Sequence, residues 1–222
     1  KVSFRIKMGD GFAFKGLRTF SIQNPYNRGF MMEWFAHQML ENEDILTTRY
    51  EMIPVFINGK NMGVYAMEEH FDKQLLEARK RREGPIVKFD ESGVWQLHEY
   101  EQETGEFLNL PVFLASEISV FKKNRTRKSP TLSKQFEMAQ SHMESYRSGI
   151  GEVGNYFDVE ALAKYMAMMD LVNGKHGLIW HNQRFYFNPI KQLLEPIAYD
   201  CFMDSNSSVQ QHSLVGIAGE ND

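Results

Sequence analysis

The chain of 222 residues is long enough for one large domain, or for a unit of two lobes, with a sizeable core. Its 25 Lys and Arg residues are outnumbered by 29 Asp and Glu residues, which argues against a dedicated nucleic-acid-binding protein, because such proteins carry a basic surface. The single cysteine, Cys201, excludes an intramolecular disulfide, and no apolar run is long enough to span a bilayer.

The first third of the chain shows the patterning of a small antiparallel sheet that carries one helix. Alternation of apolar and polar residues predicts two early strands, and Asn58-Gly59 predicts a hairpin turn between two later ones, since both residues tolerate positive φ. The four strands are predicted over residues 2–8, 17–23, 49–56 and 62–67. Between the two pairs, apolar residues from Met31 to Met39 recur at helical spacing, which predicts a helix over residues 29–41.

The middle third is more polar and contains two strongly charged segments. Its predicted regular elements are a charged helix over residues 70–82, a short strand over 85–89 and a helix over 136–147. Residues 91–109 are acidic, and we expect irregular structure there. Residues 121–134 are basic and rich in turn-forming residues, and we expect a mobile loop or an insertion.

The last third has the clearest pattern. Asp158 is a predicted N-cap of an apolar helix, which Asn173-Gly174 ends. The predicted unit that follows is a polar loop, a strand and a partner strand, over residues 175–182, 184–187 and 193–199. The second of these strands leads directly to Asp200.

Asn182 and Asp200 lie at the same open end of this predicted hairpin. An amide and a carboxylate are hard oxygen ligands of the kind that hold Mg²⁺ against nucleotide phosphates in phosphoryl transfer. The spacing alone leaves two interpretations open. The pair is a metal–nucleotide site, or it is a capping Asn and a turn Asp with a structural role.

Three segments resemble the CotH family, the spore coat protein H kinases. They are residues 55–69, residues 81–86, and residues 173–189 together with 195–200. The resemblance implies an α+β, atypical protein-kinase-like fold, in which a small antiparallel sheet and a helix pack on a more helical lobe. It places the first part at residues 1–72 and the second at residues 73–222, as a segment of a longer chain. It also implies binding of ATP with Mg²⁺ and transfer of the γ-phosphate to Ser or Thr of a protein substrate.

The same resemblance assigns roles to single residues. Asn182 and Asp200 match the metal-binding positions, and Glu68 and Glu69 lie where the chain would pass close to the adenine. A cation from the early strands should reach the phosphates, and a Glu of the first helix should pair with that cation. The candidates for the cation are Lys7, Lys15 and Arg18, and those for its partner are Glu33 and Glu41.

One position departs from the pattern of kinases. Gly177 stands five residues before Asn182, where kinases have the catalytic Asp, so the candidate bases become His176 and His181. Asp170 and Asp204 are further candidates, although their spacing does not fit. A catalytically weak or inactive pseudokinase, acting as a surface or spore-coat assembly module, therefore stands as the alternative function. Family resemblance suggests an exported, cell-surface or spore-coat setting, which no targeting segment establishes.

A different class of enzyme would use some of the same residues. His176, His181, Asp200 and Cys201 can be interpreted as a transition-metal site for hydrolysis. The spacing of the two histidines matches no common zinc motif, which disfavours this interpretation.

Overall fold

The computed structural model describes residues 3–202, and within them the protein is a mixture of α-helices and β-strands, as predicted. The strands are β1 (Phe4–Lys7), β2 (Thr19–Gln23), β3 (Leu46–Thr47), β4 (Tyr50–Ile57), β5 (Lys60–Glu69), β6 (Ile86–Phe89), β7 (Ile118–Val120), β8 (Arg184–Asn188) and β9 (Leu193–Ala198). The α-helices are α1 (Met32–Asn42), α2 (Lys73–Ala78), α3 (Ser92–Thr104), α4 (Val112–Ala115), α5 (Lys123–Lys128), α6 (Pro130–Ser148), α7 (Val159–Val172) and α8 (Lys175–Leu178). Short 3₁₀ helices cover Pro25–Arg28, Val153–Asn155 and Trp180–Asn182.

The first sheet is antiparallel and has the strand order β1-β2-β5-β4. Its hairpin turns at Asn58 and Gly59, which have φ of 51° and 77°. Two consecutive positive φ angles are what a type I′ turn requires, and Asn-Gly is the dipeptide that adopts them most readily. The predicted sheet of four strands with one helix is therefore confirmed, although several ends shift by a few residues.

The second sheet has the order β3-β9-β8-β6-β7. All its pairs are antiparallel except β3 with β9, where Leu46 lies opposite Ile197 and Thr47 opposite Ala198. The strand β3 comes from the first 72 residues, so this part of the chain contributes to both sheets. The sequence did not predict β3 because two buried residues are too short a segment to show a period.

Two segments differ from the prediction. Residues 91–109 are not irregular, because α3 covers Ser92–Thr104 and ends at Gly105, whose φ is 74°. This helix buries none of its residues, so no apolar stripe marks it in the sequence. The basic residues 121–134 are not a mobile loop, because they contain α5 and the start of α6. There, Pro130 begins a helix, and the Ser129 hydroxyl caps it by accepting a hydrogen bond from Leu132 N.

Two further predictions hold in part. The helix expected over residues 70–82 is only the six-residue α2, because β5 continues to Glu69 and Asp72 caps the helix. The loop expected over residues 175–182 contains α8 and a 3₁₀ turn. Asp158 does cap α7, since its carboxylate accepts a hydrogen bond from Ala161 N at 3.2 Å.

The helix α1 packs on the second half of the chain. Its buried residues Ala36 and Leu40 share one apolar cluster with Tyr165 and Met169 of α7 and Ala198 of β9. Burial of these side chains fixes α1 against the end of β9, at the point where Asp200 follows. No helix within residues 3–202 has the length and apolarity needed to cross a membrane.

Candidate functional site

Arg28 lies at the centre of a cluster of charged side chains. It ends the 3₁₀ turn before α1, and its side chain is only 9% exposed. Its guanidinium contacts Glu68 Oε1 at 2.5 Å, Asp200 Oδ1 at 2.9 Å and Glu33 Oε1 at 3.5 Å. One side chain thus joins α1, the end of β5 and the residue that follows Tyr199 beyond β9.

Because these charged groups are buried, each of them depends on its partners to compensate its charge. Burial opposes the charge of Arg28, but the carboxylates of Glu68, Asp200 and Glu33 outweigh that cost and raise its pKa well above the ordinary value. Burial also raises the pKa of Glu68, and the charge of Arg28 counteracts it. Removal of one partner would leave an uncompensated charge in the interior.

His37 holds Glu33 from inside α1. Its Nδ1 donates to the Thr48 carbonyl at 2.8 Å, and its Nε2 lies 2.9 Å from Glu33 Oε1, one helical turn away. Both ring nitrogens face acceptors, so the protonated imidazolium fits the site. Burial lowers the pKa of His37, but the charge of Glu33 and these hydrogen bonds raise it overall.

His176 connects the two residues predicted to bind metal. Its Nε2 lies 3.3 Å from Asp200 Oδ2, and its carbonyl accepts a hydrogen bond from Asn182 Nδ2 at 2.9 Å. The hydrogen bond with Asp200 raises the pKa of His176. Burial alone would raise the pKa of Asp200, but His176 and Arg28 together hold it below the ordinary value.

Tyr199 packs against two of the cations in this region. Its ring lies between two guanidinium groups, with Arg28 at 4.7 Å and Arg184 at 5.0 Å from its centroid. Arg184 in turn donates to the carbonyl of His181 at 2.6 Å, which secures the segment that carries Asn182.

One face of the first sheet forms a basic wall beside the cluster. Arg5 lies opposite Ser21, and Ser21 lies opposite Glu68, so all three share the face that contacts Arg28. Lys7 is two residues beyond Arg5 and is on the same face. His70 bonds to Ser21 Oγ at 2.8 Å.

A further cation approaches this wall from the second half of the chain. Burial lowers the pKa of His70, the charges of Arg5 and Lys122 lower it further, and the charge of Asp72 opposes the shift, so His70 favours its neutral form. Lys122 pairs with Asp72 at 3.5 Å. The positive potential of the basic wall, defined as Arg5, Lys7, His70 and Lys122, therefore comes mainly from the exposed Arg5 and Lys7 next to the charged cluster.

The structure brings together four of the predicted site residues around Arg28, either in direct contact or through Asp200. These are Glu33, Glu68, His176 and Asp200. Asn182 joins them through the carbonyl of His176. Lys7 is exposed on the basic wall.

The other predicted residues lie away from Arg28. Lys15 pairs with Glu51, and Arg18 is exposed. The carboxylate of Glu69 accepts from Arg49 N, since neighbouring residues of a strand point to opposite faces. Glu41 pairs with Arg79, His181 packs beside Trp95 and Trp180, and Asp170 is exposed on α7. Asp204 lies outside the described residues.

Arg28 itself was missed in the sequence. The sequence does contain one indication of its role. Arg28 stands five residues before Glu33, and Glu33 lies in the first turn of the helix that follows. The CotH resemblance implies a cation on the early strands, whereas Arg28 lies in the connection between β2 and α1.

Gly177 has little room for a side chain. A Cβ atom there would lie 3.1 Å from Cys201 Sγ, 3.1 Å from the Tyr199 carbonyl and 3.4 Å from the Asp200 carbonyl. The segment that carries Asp200 thus crowds the position from which the side chain of a catalytic Asp at 177 would begin.

The arrangement of side chains limits the kind of metal site that can form. Among residues 3–202, no three His, Cys, Asp or Glu side chains are grouped to hold a metal ion, so the alternative transition-metal site is not formed. Mg²⁺ has different requirements, because it usually takes one or two protein oxygens and completes its shell with water and phosphates. Asp200 is compatible with this, since a carboxylate accepts about four hydrogen bonds and here meets two donors.

Two polar atoms next to the cluster lack partners. Glu33 Oε2 and the Tyr50 hydroxyl are buried, and within residues 3–202 neither makes a hydrogen bond. Buried polar atoms of this kind commonly bind water or an ion.

The family model described as CotH kinase protein matches residues 1–213 of the chain. The chain belongs to the CotH kinase family. This membership suggests a kinase-like function in general. The matched residues include both sheets and the whole Arg28 cluster. The comparison with curated proteins gave no match.

Proposed function

We propose that this CotH-family chain adopts an atypical protein-kinase-like fold and binds ATP with Mg²⁺ beside the Arg28 cluster. We also propose that it transfers the γ-phosphate to Ser or Thr of a protein substrate. One observation carries the proposal: Arg28 contacts both Glu33 of α1 and Asp200 after β9. Protein kinases likewise place a cation that pairs with a helix Glu close to a metal-binding Asp, and in them that cation binds the phosphates as well.

The cations divide their roles in this proposal. Arg28 is buried and occupied by three carboxylates, so it orients Glu33, Glu68 and Asp200 and is poorly placed to bind phosphate as well. The basic wall is accessible, because Arg5 and Lys7 are exposed on the face that carries Glu68. We assign phosphate binding to the basic wall. Of its members, Lys7 is the one that was a candidate for this role from the sequence.

Asp200 and Asn182 are the residues proposed to hold Mg²⁺. The amide nitrogen of Asn182 donates to the His176 carbonyl at 2.9 Å, which fixes the orientation of the amide. When bound, Mg²⁺ would neutralise part of the charge of the phosphates. The role of this chain is to present a carboxylate whose pKa is lowered, so that it is ionised at neutral pH.

His176 is the better placed of the two proposed bases, because it touches Asp200 while His181 packs between two tryptophans. The contact with Asp200 raises the pKa of His176 and favours its protonated form, which cannot accept a proton. Base catalysis therefore requires this contact to open.

That requirement, together with the filled space at Gly177, favours a second candidate function. In this alternative the chain binds nucleotide, transfers phosphate weakly or not at all, and acts as an assembly module of a spore coat or cell surface. The two candidates share the binding site and differ only in turnover.

Two measurements test the proposal in sequence. ATP with Mg²⁺ should raise the melting temperature of the chain by mass action, by contrast with adenosine alone, which lacks the phosphates for the basic wall. If no nucleotide shifts the melting temperature at millimolar concentration, both candidates are wrong. Transfer of labelled γ-phosphate to a Ser/Thr peptide mixture, abolished in Asp200→Asn, would distinguish the kinase from the inactive module.

A further inference from the structure

The segment that follows α3 runs back along the helix. Leu108 N donates to the carboxylate of Glu101 at 3.1 Å, close to the C-terminal end of α3. Near the N-terminal end of the helix, a Cβ atom at Gly93 would lie 3.3 Å from Val112 Cγ1. Residues 105–112, which we call the strap, therefore lie against one face of α3.

The face of α3 opposite the strap is exposed. Successive residues of a helix are about 100° apart, so Trp95, Glu99 and Glu103 lie on the side away from Gly93 and Glu101. All three are exposed, with Trp95 at 53%, and α3 buries none of its residues. We call these three residues the outer face of α3. Packing within the described part of the chain does not account for a tryptophan at this position.

The helix and the strap carry negative charge that the chain does not neutralise. Residues 92–116 contain four glutamates and no Lys or Arg. Two of them, Glu101 and Glu106, accept hydrogen bonds from within the helix and the strap. The other two, Glu99 and Glu103, belong to the outer face. In the part of the chain that the structure describes, no Lys or Arg lies at ion-pair distance from either of these two carboxylates.

The cations that flank α3 and the strap pair with other carboxylates. Lys88 precedes the helix, Lys123 follows β7, and Arg147 donates to the backbone just beyond the strap. Their salt-bridge partners are Glu91, Glu117 and Glu144, respectively. The one histidine of α3, His98, bonds to Gln102 at 2.8 Å. The negative charge of the outer face is therefore available to a ligand.

Trp95 adds an aromatic surface to these charges. Its ring centroid lies 6.0 Å from that of His181, so the outer face begins beside the segment that carries Asn182. The face of a tryptophan ring attracts guanidinium and ammonium groups, as carboxylates do. The three side chains of the outer face thus all favour a cationic ligand, and none of them favours an anionic one.

We propose that the outer face of α3 binds a basic segment of a partner protein. Lys or Arg side chains of the segment pair with Glu99 and Glu103, and an Arg stacks on Trp95. Residues four apart on a helix are about 6 Å apart along its axis, and alternate residues of an extended chain are about 7 Å apart. An extended segment with a cation at every second residue therefore matches all three positions. The proposal does not depend on nucleotide binding.

The test uses the purified chain and a displayed library of random nine-residue peptides. We expect enrichment of Lys and Arg, and the best peptide should bind Glu99→Gln/Glu103→Gln at least about tenfold more weakly than the wild type. The matched control is Glu137→Gln/Glu152→Gln, which removes two exposed carboxylates elsewhere and changes the net charge equally. It should change the affinity less than about twofold, because salt screens distant exposed charges. Trp95→Ala should also weaken binding of this peptide.

A measurement on the peptide keeps the test decisive whatever the variants do to folding. Citrulline in place of each Arg, and acetyl-lysine in place of each Lys, removes the positive charge and keeps most of the shape. We expect this peptide to bind the wild type at least about tenfold more weakly. Failure of the library to yield a binder, enrichment of peptides without basic residues, or equal losses in the two double variants would overturn the proposal.

Sedimentation distinguishes a partner protein from a second copy of this chain. Residues 122–134 contain six Lys and Arg residues and no carboxylate, so another copy also offers a basic segment. We expect the wild type to remain monomeric at concentrations at which the peptide binds. Self-association that Glu99→Gln/Glu103→Gln abolishes would show that the occupant is a second copy, and it would contradict the proposal.

Discussion

Arg28 Nε lies 2.9 Å from Asp200 Oδ1, and this contact joins the entrance of α1 to the residue that the CotH resemblance assigns to metal. The same guanidinium contacts Glu68 Oε1 at 2.5 Å, so one side chain links the three positions. Asp200 has a left-handed backbone conformation with φ of 56°, which turns the chain directly after Tyr199. The placement of Asp200 is therefore a property of the packing between α1 and the second sheet.

Replacement of Arg28 by Met should lower the free energy of unfolding by about 3–5 kcal/mol, because the carboxylates of Glu68 and Asp200 would remain buried without a cation. Urea unfolding at pH 7 measures the change. Arg18→Met is the control, since Arg18 is exposed and its loss should cost less than about 0.5 kcal/mol. Equal effects of the two substitutions would show that the cluster contributes nothing to stability.

The pH dependence of the unfolding free energy should reveal the protonation of His37. The folded-state pKa of His37 is raised above the ordinary value of 6.5, so its contribution is fully present below that value and is lost as the pH rises through the folded pKa. The difference in unfolding free energy between the wild type and His37→Gln should therefore shrink above pH 6.5. Its slope should not exceed about 1.4 kcal/mol per pH unit, the limit for one proton. A difference that grows with pH would mean that the buried histidine is neutral.

Arg5→Ala should weaken ATP binding by about tenfold and leave adenosine binding unchanged, because the basic wall is proposed to contact only the phosphates. Lys7→Ala should behave in the same way with a smaller effect. Both residues are exposed, so thermal stability should change little. Parallel titrations with ATP, AMP and adenosine provide the measurement, and a loss of affinity that is equal for all three would contradict the assignment.

Gly177→Ala should destabilise the chain by about 1–3 kcal/mol, because its Cβ would press on Cys201 Sγ and on the carbonyls of Tyr199 and Asp200. Gly154→Ala is the matched control, since its nearest neighbour would be Val159 Cγ2 at an ordinary 3.5 Å. The same reasoning predicts that Gly177→Asp impairs the protein and does not create a better kinase. A stable Gly177→Asp variant with increased phosphate transfer would refute this account of the position.

Much of the fold could be predicted because its elements carry local signals. The Asn58-Gly59 turn, the capping Asp158 and the periodic apolar residues of α1 and α7 each depend on neighbours in the chain. The errors fall where the local signal was weak. The helix α3 buries no residue, and α5 and the start of α6 are basic, so neither shows an apolar stripe.

The site was predictable only in part, for a related reason. Asn182 and Asp200 flank one hairpin, so their proximity follows from local structure. The contacts of Arg28 with Glu68 and Asp200 depend on tertiary packing between distant segments, which no spacing in the sequence encodes. The filled space behind Gly177 is likewise visible only once β9 and α8 are placed together.

The central claim is that Asp200 and the basic wall form one site for ATP and Mg²⁺. Calorimetric titration of ATP into the wild type and Asp200→Asn, each with Mg²⁺ and with EDTA, tests it most directly. We expect Mg²⁺ to strengthen ATP binding to the wild type by at least about tenfold, and Asp200→Asn to lose this enhancement while it still binds ATP weakly. Equal affinities in all four titrations, or no measurable binding in any of them, would contradict it.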